Sequence, residues 1–211
     1  MSSVLPPGLD HLVFGGPDLA QGVAEVADLT GVTAVAGGRH LDHGTANFLI
    51  GLGPGAYLEI IGPDPQAADP PQPRWFGLDG TGAPRLLTWA LRPADLDATI
   101  SSARTHGYDP GPSRSMSRHT DDGTALQWRL TGDTVASRGG VVPFLIDWGA
   151  SAHPSARELP MLELRGLALR HPNPEQVRAE LSALGTDIGV GTGPAGLSAV
   201  LAGPHGEVLL R

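Results

Sequence analysis

The order of apolar and polar positions predicts the same structural unit three times along the chain. In the first unit, a short apolar strand carries His11 on one face together with Leu9 and Val13. An amphipathic helix pattern follows, with Asp18 placed to cap its first turn, and three more strand patterns complete the unit. These patterns predict a β-α-β-β-β module over about residues 9–62.

Two further modules repeat this order. The second covers about residues 85–149, and its helix begins after Asp95 as the first helix begins after its own aspartate. The third covers residues 159–211, where Asn173 followed by Pro174 favours a helix start. We expect each module to form a curved antiparallel sheet whose helix covers one face. The other face is then free to line a cleft where two modules pair.

Composition and charge exclude several classes of binding partner and of chemical site. The net charge of −8 argues against nucleic acid or an acidic membrane surface as the partner. Because the chain has no cysteine, disulfides, zinc–thiolate sites and cysteine nucleophiles are excluded. All fourteen basic residues are arginine, which excludes a lysine Schiff base. The N-terminal residues lack a signal-peptide pattern, and no apolar run approaches the roughly 18 residues of a membrane span, so a cytoplasmic protein is expected.

Two polar side chains interrupt otherwise apolar strands of the first module. Glu59 lies between Leu58 and Ile60 in the last strand, and His11 lies in the first strand. A buried carboxylate without a partner is unfavourable, so Glu59 requires a metal ion, an arginine or water. An ion pair with Arg129 is the structural alternative to a metal. For His11, the alternative is a histidine held by ordinary structural hydrogen bonds.

Six short motifs occur at fixed places in the first two modules: Asp10-His11-Leu12-Val13, Gly38-Arg39-His40, Gly44-Thr45-Ala46-Asn47, Tyr57-Leu58-Glu59-Ile60-Ile61, Trp89-Ala90-Leu91-Arg92 and Pro143-Phe144-Leu145-Ile146-Asp147-Trp148-Gly149. In their order and spacing they resemble glyoxalase-like proteins of the vicinal oxygen chelate superfamily, which includes bleomycin resistance proteins and dioxygenases. The resemblance implies an α+β fold in which paired βαβββ modules form an open U-shaped antiparallel sheet with helices outside. Residues 1–158 would form this glyoxalase-like domain, and residues 159–211 would add a third, C-terminal βαβββ-like module.

The resemblance also implies a divalent metal ion, such as Zn, Ni, Co, Mn or Fe, inside the paired sheets. Members of the superfamily often bind it through the first and last strands of each module. His11 and Glu59 match these positions in the first module. In the second module, Thr88 takes the first-strand position, and the last-strand position falls at Ile146 or Asp147, depending on a one-residue register.

Because the second module does not supply both matched ligands, the identity of the third metal ligand is not determined. The alternatives are His153 from the following loop, a water molecule, or no third ligand. With His153, the predicted metal site consists of His11, Glu59 and His153. A carboxylate beside the metal would move a proton, and Glu59 itself or Asp147 is the candidate for this catalytic role.

Substrate contacts are expected from side chains that face the cleft. If Trp128 and its same-face neighbours pack under the helix, Gln127 and Arg129 line the cleft, where Arg129 would bind a carboxylate or phosphate. A solvated arginine or an internal ion pair is the alternative reading of Arg129. For Trp89, core packing is the alternative to a place in the lining. The remaining candidates for substrate binding are His40 and Asn47.

Two classes of function follow from the resemblance. The first is a metal-assisted lyase or isomerase of a small oxygenated or carbonyl substrate, in which the metal stabilises an enolate. The second is a metal-free protein that binds or sequesters a small molecule of the antibiotic type. A structural or regulatory remnant is the third alternative. In the first two classes the partner is a small molecule, and a homodimer is predicted as one way to cover the free sheet face of the third module.

Overall fold

The computed structural model describes residues 6–70, 72–80, 82–119, 125–132 and 137–211. The first module consists of β1 (Leu9–Gly15), α1 (Leu19–Thr30), β2 (Val35–His40), β3 (Thr45–Gly51) and β4 (Tyr57–Pro63). The second consists of β5 (Arg85–Leu91), α2 (Leu96–Thr105), β6 (Arg114–His119), β7 (Ala125–Leu130) and β8 (Phe144–Asp147). The third consists of β9 (Glu163–His171), α3 (Pro174–Ala183), β10 (Val190–Thr192), β11 (Gly196–Gly203) and β12 (Gly206–Leu210). Short 3-10 helices lie at Leu41–His43, Trp75–Gly77, Ser137–Gly140 and Pro154–Ala156.

The helices begin where the sequence predicts, but their caps differ. The side chains of Asp18 and Asp95 each accept a hydrogen bond from the backbone N–H three residues on, at 3.0 and 2.9 Å. Asn173 makes no such side-chain bond, and α3 instead starts with Pro174, whose fixed φ suits a first helical turn. α1 ends at Gly31 with a φ of 75°, a conformation that glycine adopts without strain.

The strands of the first two modules join in one barrel, in the order β1-β4-β3-β2-β6-β7-β8-β5. The paired-module architecture is confirmed, although the sheet is mixed rather than wholly antiparallel because β1 pairs with β4, and β5 with β8, in parallel. β1 pairs with β5 along most of its length, which makes one wide seam between the modules. At the other seam, the one residue pair between β2 and β6 within the described residues is Arg39 with His119. The expected U shape is therefore present, and this narrow contact closes its open side.

Strand alternation determines which side chains face the barrel interior. In β1, Leu12 packs outward in the main apolar core, whereas His11 lines the interior. In β4, Leu58 packs outward and Glu59 lines the interior. Burial of the outward faces under the helices thus turns the polar residues of the same strands toward the inside of the barrel.

The third module forms a separate four-stranded sheet, in the order β10-β9-β11-β12. Its apolar face, which includes Leu164 and Leu167, joins the same core as the outer faces of the barrel. Backbone hydrogen bonds tie it to the first two modules, for example from the N–H of Leu86 to the carbonyl of Arg211 at 2.8 Å. The opposite face of β9 is exposed and polar. None of the helices in the described parts of the chain is long and apolar enough to span a membrane.

Candidate functional site

The barrel encloses a cavity of about 550 Å³ that is lined from both modules. Most of its wall is apolar, and aromatic rings contribute a large share of it. The polar side chains of the wall include His11 on β1, Asn47 on β3, Glu59 on β4 and Arg118 on β6. The aromatic residues are Tyr57, Trp75, Phe76, Trp128, Phe144 and Trp148. A mostly apolar cavity of this size with a few converging polar groups is typical of a small-molecule site.

His11 is held in place by Asp10, its neighbour in β1. The Nδ1 atom of His11 lies 2.6 Å from Oδ1 of Asp10. The imidazole stacks on the ring of Tyr57, with centroids 4.7 Å apart, and meets the ring of Phe144 edge-on at 5.4 Å. These contacts fix the plane of the imidazole and turn Nε2 toward the cavity.

Asp10 is fully buried and is surrounded by hydrogen-bond donors. Nε1 of Trp148 donates to Oδ2 at 3.2 Å, and Nε2 of His153 lies 2.9 Å from the same oxygen. The backbone N–H of Ser155 donates to Nδ1 of His153, so in His153 the proton must be on Nε2, which donates to Asp10. Burial raises the pKa of Asp10, but the hydrogen bonds from His11 and His153 outweigh burial and hold the pKa below the usual value.

An ionised Asp10 determines the hydrogen-bonding roles of the His11 ring. Because Asp10 accepts, Nδ1 of His11 carries the proton that it donates to the carboxylate. In the neutral ring, Nε2 is therefore a free acceptor. This arrangement leaves an acceptor nitrogen on the cavity side of His11 and an anion behind the ring.

Glu59 is oriented by a chain of two side chains. Nη1 of Arg118 donates to Oδ1 of Asn47 at 2.8 Å, and Nδ2 of Asn47 donates to Oε1 of Glu59 at 2.5 Å. A guanidinium only donates, so the amide of Asn47 must present its oxygen to Arg118 and its NH₂ group to Glu59. Glu59 therefore accepts through Oε1, and its other oxygen is turned toward His11.

His11 and Glu59 meet inside the cavity, with Nε2 of His11 3.7 Å from Oε2 of Glu59. When the imidazole is neutral, both atoms are acceptors. A proton carried by one of them, or a hydroxyl group of a bound molecule between them, relieves their repulsion. The arrangement is therefore suited to holding and moving one proton.

Near Arg118, the cavity wall holds a second histidine, His40. It is buried, and Nδ1 lies 3.0 Å from Oγ1 of Thr45. Burial, assisted by the nearby positive charge of Arg118, lowers the pKa of His40 to about 3, so His40 is neutral near pH 7. The ring of Trp75, from the 3-10 helix in the long connection between modules, meets His40 edge-on at 5.6 Å. Trp75 of that connection thus covers part of the cavity.

Four residues predicted as site residues from the first module line the cavity, and they are His11, His40, Asn47 and Glu59. From the second module, Thr88 and Ile146 face inward at the positions matched to His11 and Glu59. The register at the last strand therefore turns Ile146 inward and Asp147 outward.

Gln127, Arg129 and Asp147 lie on the outer side of the barrel, which corrects the expectation that they face the cleft. Arg129 binds Asp97 of α2 at 3.0 Å and Asp147 at 2.9 Å, so the alternative ion pair with Glu59 is also wrong. The reason is that Trp128 and Leu130 face the cavity instead of packing under a helix. Strand alternation then turns Gln127 and Arg129 away from it.

Trp89 and His153 also lie outside the cavity lining. Trp89 is fully buried in the main apolar core, and its Nε1 donates to the carbonyl of Val141 at 2.9 Å. The core-packing alternative for Trp89 therefore describes its position. His153 approaches the site only from behind, through its hydrogen bond to Asp10.

Arg118 is the cavity residue that sequence reasoning missed. In the β6–β7 ladder, Met116 lies opposite Trp128 and Arg118 opposite Leu126, so these four residues share one face of the sheet. If Trp128 is assigned to the cavity, Met116 and Arg118 follow by alternation. The available signal was thus the pairing of two strands, and the assumption that Trp128 packs under the helix reversed it.

The predicted divalent metal site does not fit the residues present. His11 and Glu59 supply two donors, while the matched positions of the second module hold a threonine and an isoleucine. His153 is turned toward Asp10 instead of the cavity. Within the residues that the structure describes, no group of three or more His, Cys, Asp or Glu side chains is arranged to hold a metal ion. Two donors fall short of the three or four protein ligands that transition metals usually take.

Comparisons with known proteins agree with this architecture. A family model described as a glyoxalase-like domain matches residues 9–185, a stretch that begins at β1 and ends after α3. A hypothetical protein from Staphylococcus aureus is similar in structure, with a TM-score of 0.60 and 15% identity over 95% of this chain and 83% of that chain. No curated protein sequence matches the chain.

Two enzymes are more distant in structure. Methylmalonyl-CoA epimerase from Mycobacterium tuberculosis has a TM-score of 0.44 and 22% identity, over 74% of this chain and 97% of that chain. A mutant of 4-hydroxymandelate synthase from Streptomyces coelicolor has a TM-score of 0.46 and 12% identity, over 97% of this chain and 62% of that chain. At these identities, structural likeness is evidence of the fold alone.

Proposed function

The chain belongs to the glyoxalase-like domain family, and from that premise we propose that it is a lyase or isomerase of a small carbonyl compound. The reaction would begin with removal of a proton from a carbon next to the carbonyl group, inside the barrel cavity. The observation that carries this proposal is the pair of Nε2 of His11 and Oε2 of Glu59, which face each other at 3.7 Å in an apolar cavity.

Both members of this pair are supported from behind, as an acid–base site requires. Asp10 fixes the tautomer of His11, and Asn47 anchors one oxygen of Glu59. The pair would carry one proton at the start of the reaction, with His11 as imidazolium and Glu59 as carboxylate. One acid and one base would then stand side by side at the substrate.

In the proposed step, Oε2 of Glu59 takes the proton and the C–H bond breaks. The electron pair of that bond moves into the carbonyl group, whose oxygen becomes an enolate. Nε2–H of His11 donates a hydrogen bond to this oxygen, where negative charge develops, and the apolar wall strengthens the interaction. An isomerase returns the proton to carbon, whereas a lyase expels a leaving group from the neighbouring carbon.

No step of this mechanism passes through a metal ion. The two donors His11 and Glu59 are already used as acid and base, and the matched residues Thr88 and Ile146 add no strong ligand. This differs from the metal-assisted reaction that the sequence resemblance implies. We prefer the metal-free reaction because the cavity offers a metal ion only two strong ligands, His11 and Glu59.

The proposal is tested by hydrogen exchange at carbon. Small ketones, aldehydes and 2-oxo acids are incubated with the protein in D₂O, and NMR follows deuterium incorporation next to the carbonyl. We expect catalysed exchange in the wild type and a loss of roughly 100-fold or more in Glu59→Gln and His11→Gln. Gln127→Ala, on the outer face of β7, is the control that should keep full exchange. Equal exchange by wild type and Glu59→Gln would remove Glu59 from the mechanism.

Metal-free binding or sequestration of a small molecule is the second candidate, and the aromatic wall favours it. Rings such as Trp75, Trp128 and Trp148 offer stacking surfaces to a flat ligand. A binding protein would quench tryptophan fluorescence with a tight ligand and would catalyse no exchange. An acid–base pair at this spacing would have no evident use in such a protein, which is why the enzyme is preferred.

A further inference from the structure

Arg118 is a buried cation that has no carboxylate partner in the part of the chain that the structure describes. Its residue exposure is 3%, and its side chain forms part of the cavity wall. No carboxylate oxygen of the described residues lies within ion-pair distance of its guanidinium, whereas two other arginines of the barrel, Arg39 and Arg129, have such partners. Its Nε is buried without a hydrogen-bond partner.

Among the described residues, the guanidinium donates one side-chain hydrogen bond, from Nη1 to Asn47. Its buried Nε–H has no hydrogen-bond partner, and no hydrogen bond joins Nη2 to a described residue. Nε–H and Nη2–H point in parallel from one edge of the planar group, which matches the two oxygens of a carboxylate. A buried charge without a counter-ion is unfavourable, so the fold maintains Arg118 at the expense of stability.

We propose that Arg118 binds a carboxylate group of the ligand, so that the cavity takes a small carboxylic acid whose apolar part lies among the aromatic rings. This inference rests on the proposed function only in treating the cavity as a substrate site. It narrows the substrate class from carbonyl compounds in general to those that also carry a carboxylate.

The charges of the cavity favour a monoanion over a phosphate dianion. Glu59 lies one side chain away from Arg118, on the other side of Asn47, and Asp10 adds a second buried anion behind His11. One guanidinium with one open edge neutralises a single negative charge. A dianion would require further donors, and the side chains beside Arg118 on the same face of the β6–β7 ladder are the uncharged groups of Met116, Leu126 and Trp128.

The position of Arg118 also orients the proposed acid. Because Asn47 bridges Arg118 and Glu59, a carboxylate on Arg118 is close to the acid–base pair without replacing it. The carbons that follow the carboxylate would then extend toward His11 and Glu59. A carbonyl group in the acid is thereby brought to the residues that are proposed to act on it.

One objection is that Glu59 already balances Arg118 through Asn47. This relay reduces the electrostatic penalty but supplies only one acceptor, the Oδ1 atom of Asn47. The buried Nε–H remains without an acceptor, and buried donors are rarely left in this state. A ligand oxygen is the group that would satisfy it.

The test compares acids with their uncharged amides. The probes are formate, acetate, benzoate and 3-phenylpropionate, each with its amide, and the readouts are tryptophan fluorescence and the ligand-induced shift in melting temperature. We expect the wild type to bind the best acid at least about tenfold more tightly than its amide, as a charge-assisted hydrogen bond requires. Inorganic phosphate is the competing anion and should bind more weakly than that acid.

Substitutions test whether Arg118 is the source of the preference for acids over amides. Arg118→Met should lose the preference for acids and should melt at or above the wild-type temperature, because it removes an unpaired buried charge. Arg129→Gln, which removes an outer arginine from the neighbouring strand, is the matched control and should keep the preference. If Arg118→Met does not fold, Arg118→Lys carries the test, since a lysine keeps the charge but loses the parallel donors and should weaken the preference.

Three outcomes would overturn the inference: no acid of the series binds, acids and amides bind equally, or phosphate binds best. Retention of the preference in the Arg118 variants would also overturn it. Failure of the proposed reaction is a separate result. A cavity that selects acids through Arg118 but exchanges no hydrogen at carbon would keep the inference and remove the catalytic role.

Discussion

At the scale of single residues, His11 and Glu59 are each oriented by a neighbouring side chain. Asp10 makes Nε2 of His11 an acceptor, and Asn47 turns one oxygen of Glu59 toward that atom. Asp10 is itself held ionised by donors from the loop after β8, of which His153 is one. The ligand-type residues in β1 and β4 are visible in the sequence. Their supporting partners are not, because Asp10 and His153 are 143 residues apart.

His40 gives a residue-scale prediction about pH. The pKa of buried His40 is lowered to about 3, from an ordinary value of 6.5. Between these pH values the unfolded chain binds a proton that the folded chain does not, so stability falls as pH falls from 6.5 toward 3. One such proton accounts for a slope of up to about 1.4 kcal/mol per pH unit in the free energy of unfolding.

Urea unfolding of wild type and His40→Gln from pH 4 to pH 8 tests this prediction. The variant should show a shallower decline below about pH 6.5. Above that pH the two curves should run parallel, which serves as the internal control. Parallel curves over the whole range would mean that His40 is not the group that resists protonation.

At the scale of elements, the sequence predicts the positions of the strands but not which strand faces line the barrel cavity. Alternation in β7 separates Trp128 from Gln127 and Arg129 correctly. It does not say which set faces the cavity, because both the underside of a helix and an aromatic cavity wall accept a tryptophan. Pairing with β6 resolves the choice, since Met116 and Arg118 lie on the same face as Trp128. That pairing depends on tertiary structure.

The helix caps give a prediction at the element scale. Asp18 and Asp95 accept a hydrogen bond in the first turn of α1 and α2, whereas Asn173 does not in α3. Asp18→Ala and Asp95→Ala should each lower the free energy of unfolding by about 1 kcal/mol, as the loss of a capping bond does. Asn173→Ala is the matched control and should have a smaller effect in the same denaturation assay. Equal losses in all three variants would contradict the structural difference between the caps.

At the scale of the whole molecule, three modules with the same order of strands and helix pack in two different ways. The first two close into a barrel around a cavity, and the third packs its apolar face on their outer core. The order of modules is readable from the sequence because strand and helix periods are local. Closure of the barrel is not, because it depends on the long-range pairing of β1 with β5 and of Arg39 with His119. Homodimerisation through the third module stays a prediction. The outward sheet face of this module is polar and includes the Glu163–Arg165 ion pair.

We propose that this barrel holds an acid–base pair rather than a metal centre. The direct measurement is calorimetric titration of chelator-treated protein with Zn²⁺, Ni²⁺, Co²⁺, Mn²⁺ and Fe²⁺, beside His11→Gln and Glu59→Gln and alongside elemental analysis of the untreated protein. We expect that no ion binds stoichiometrically in a way that depends on these two residues. One equivalent of metal in the wild type, lost in both variants, would contradict it and would restore a metal-assisted reaction in the cavity.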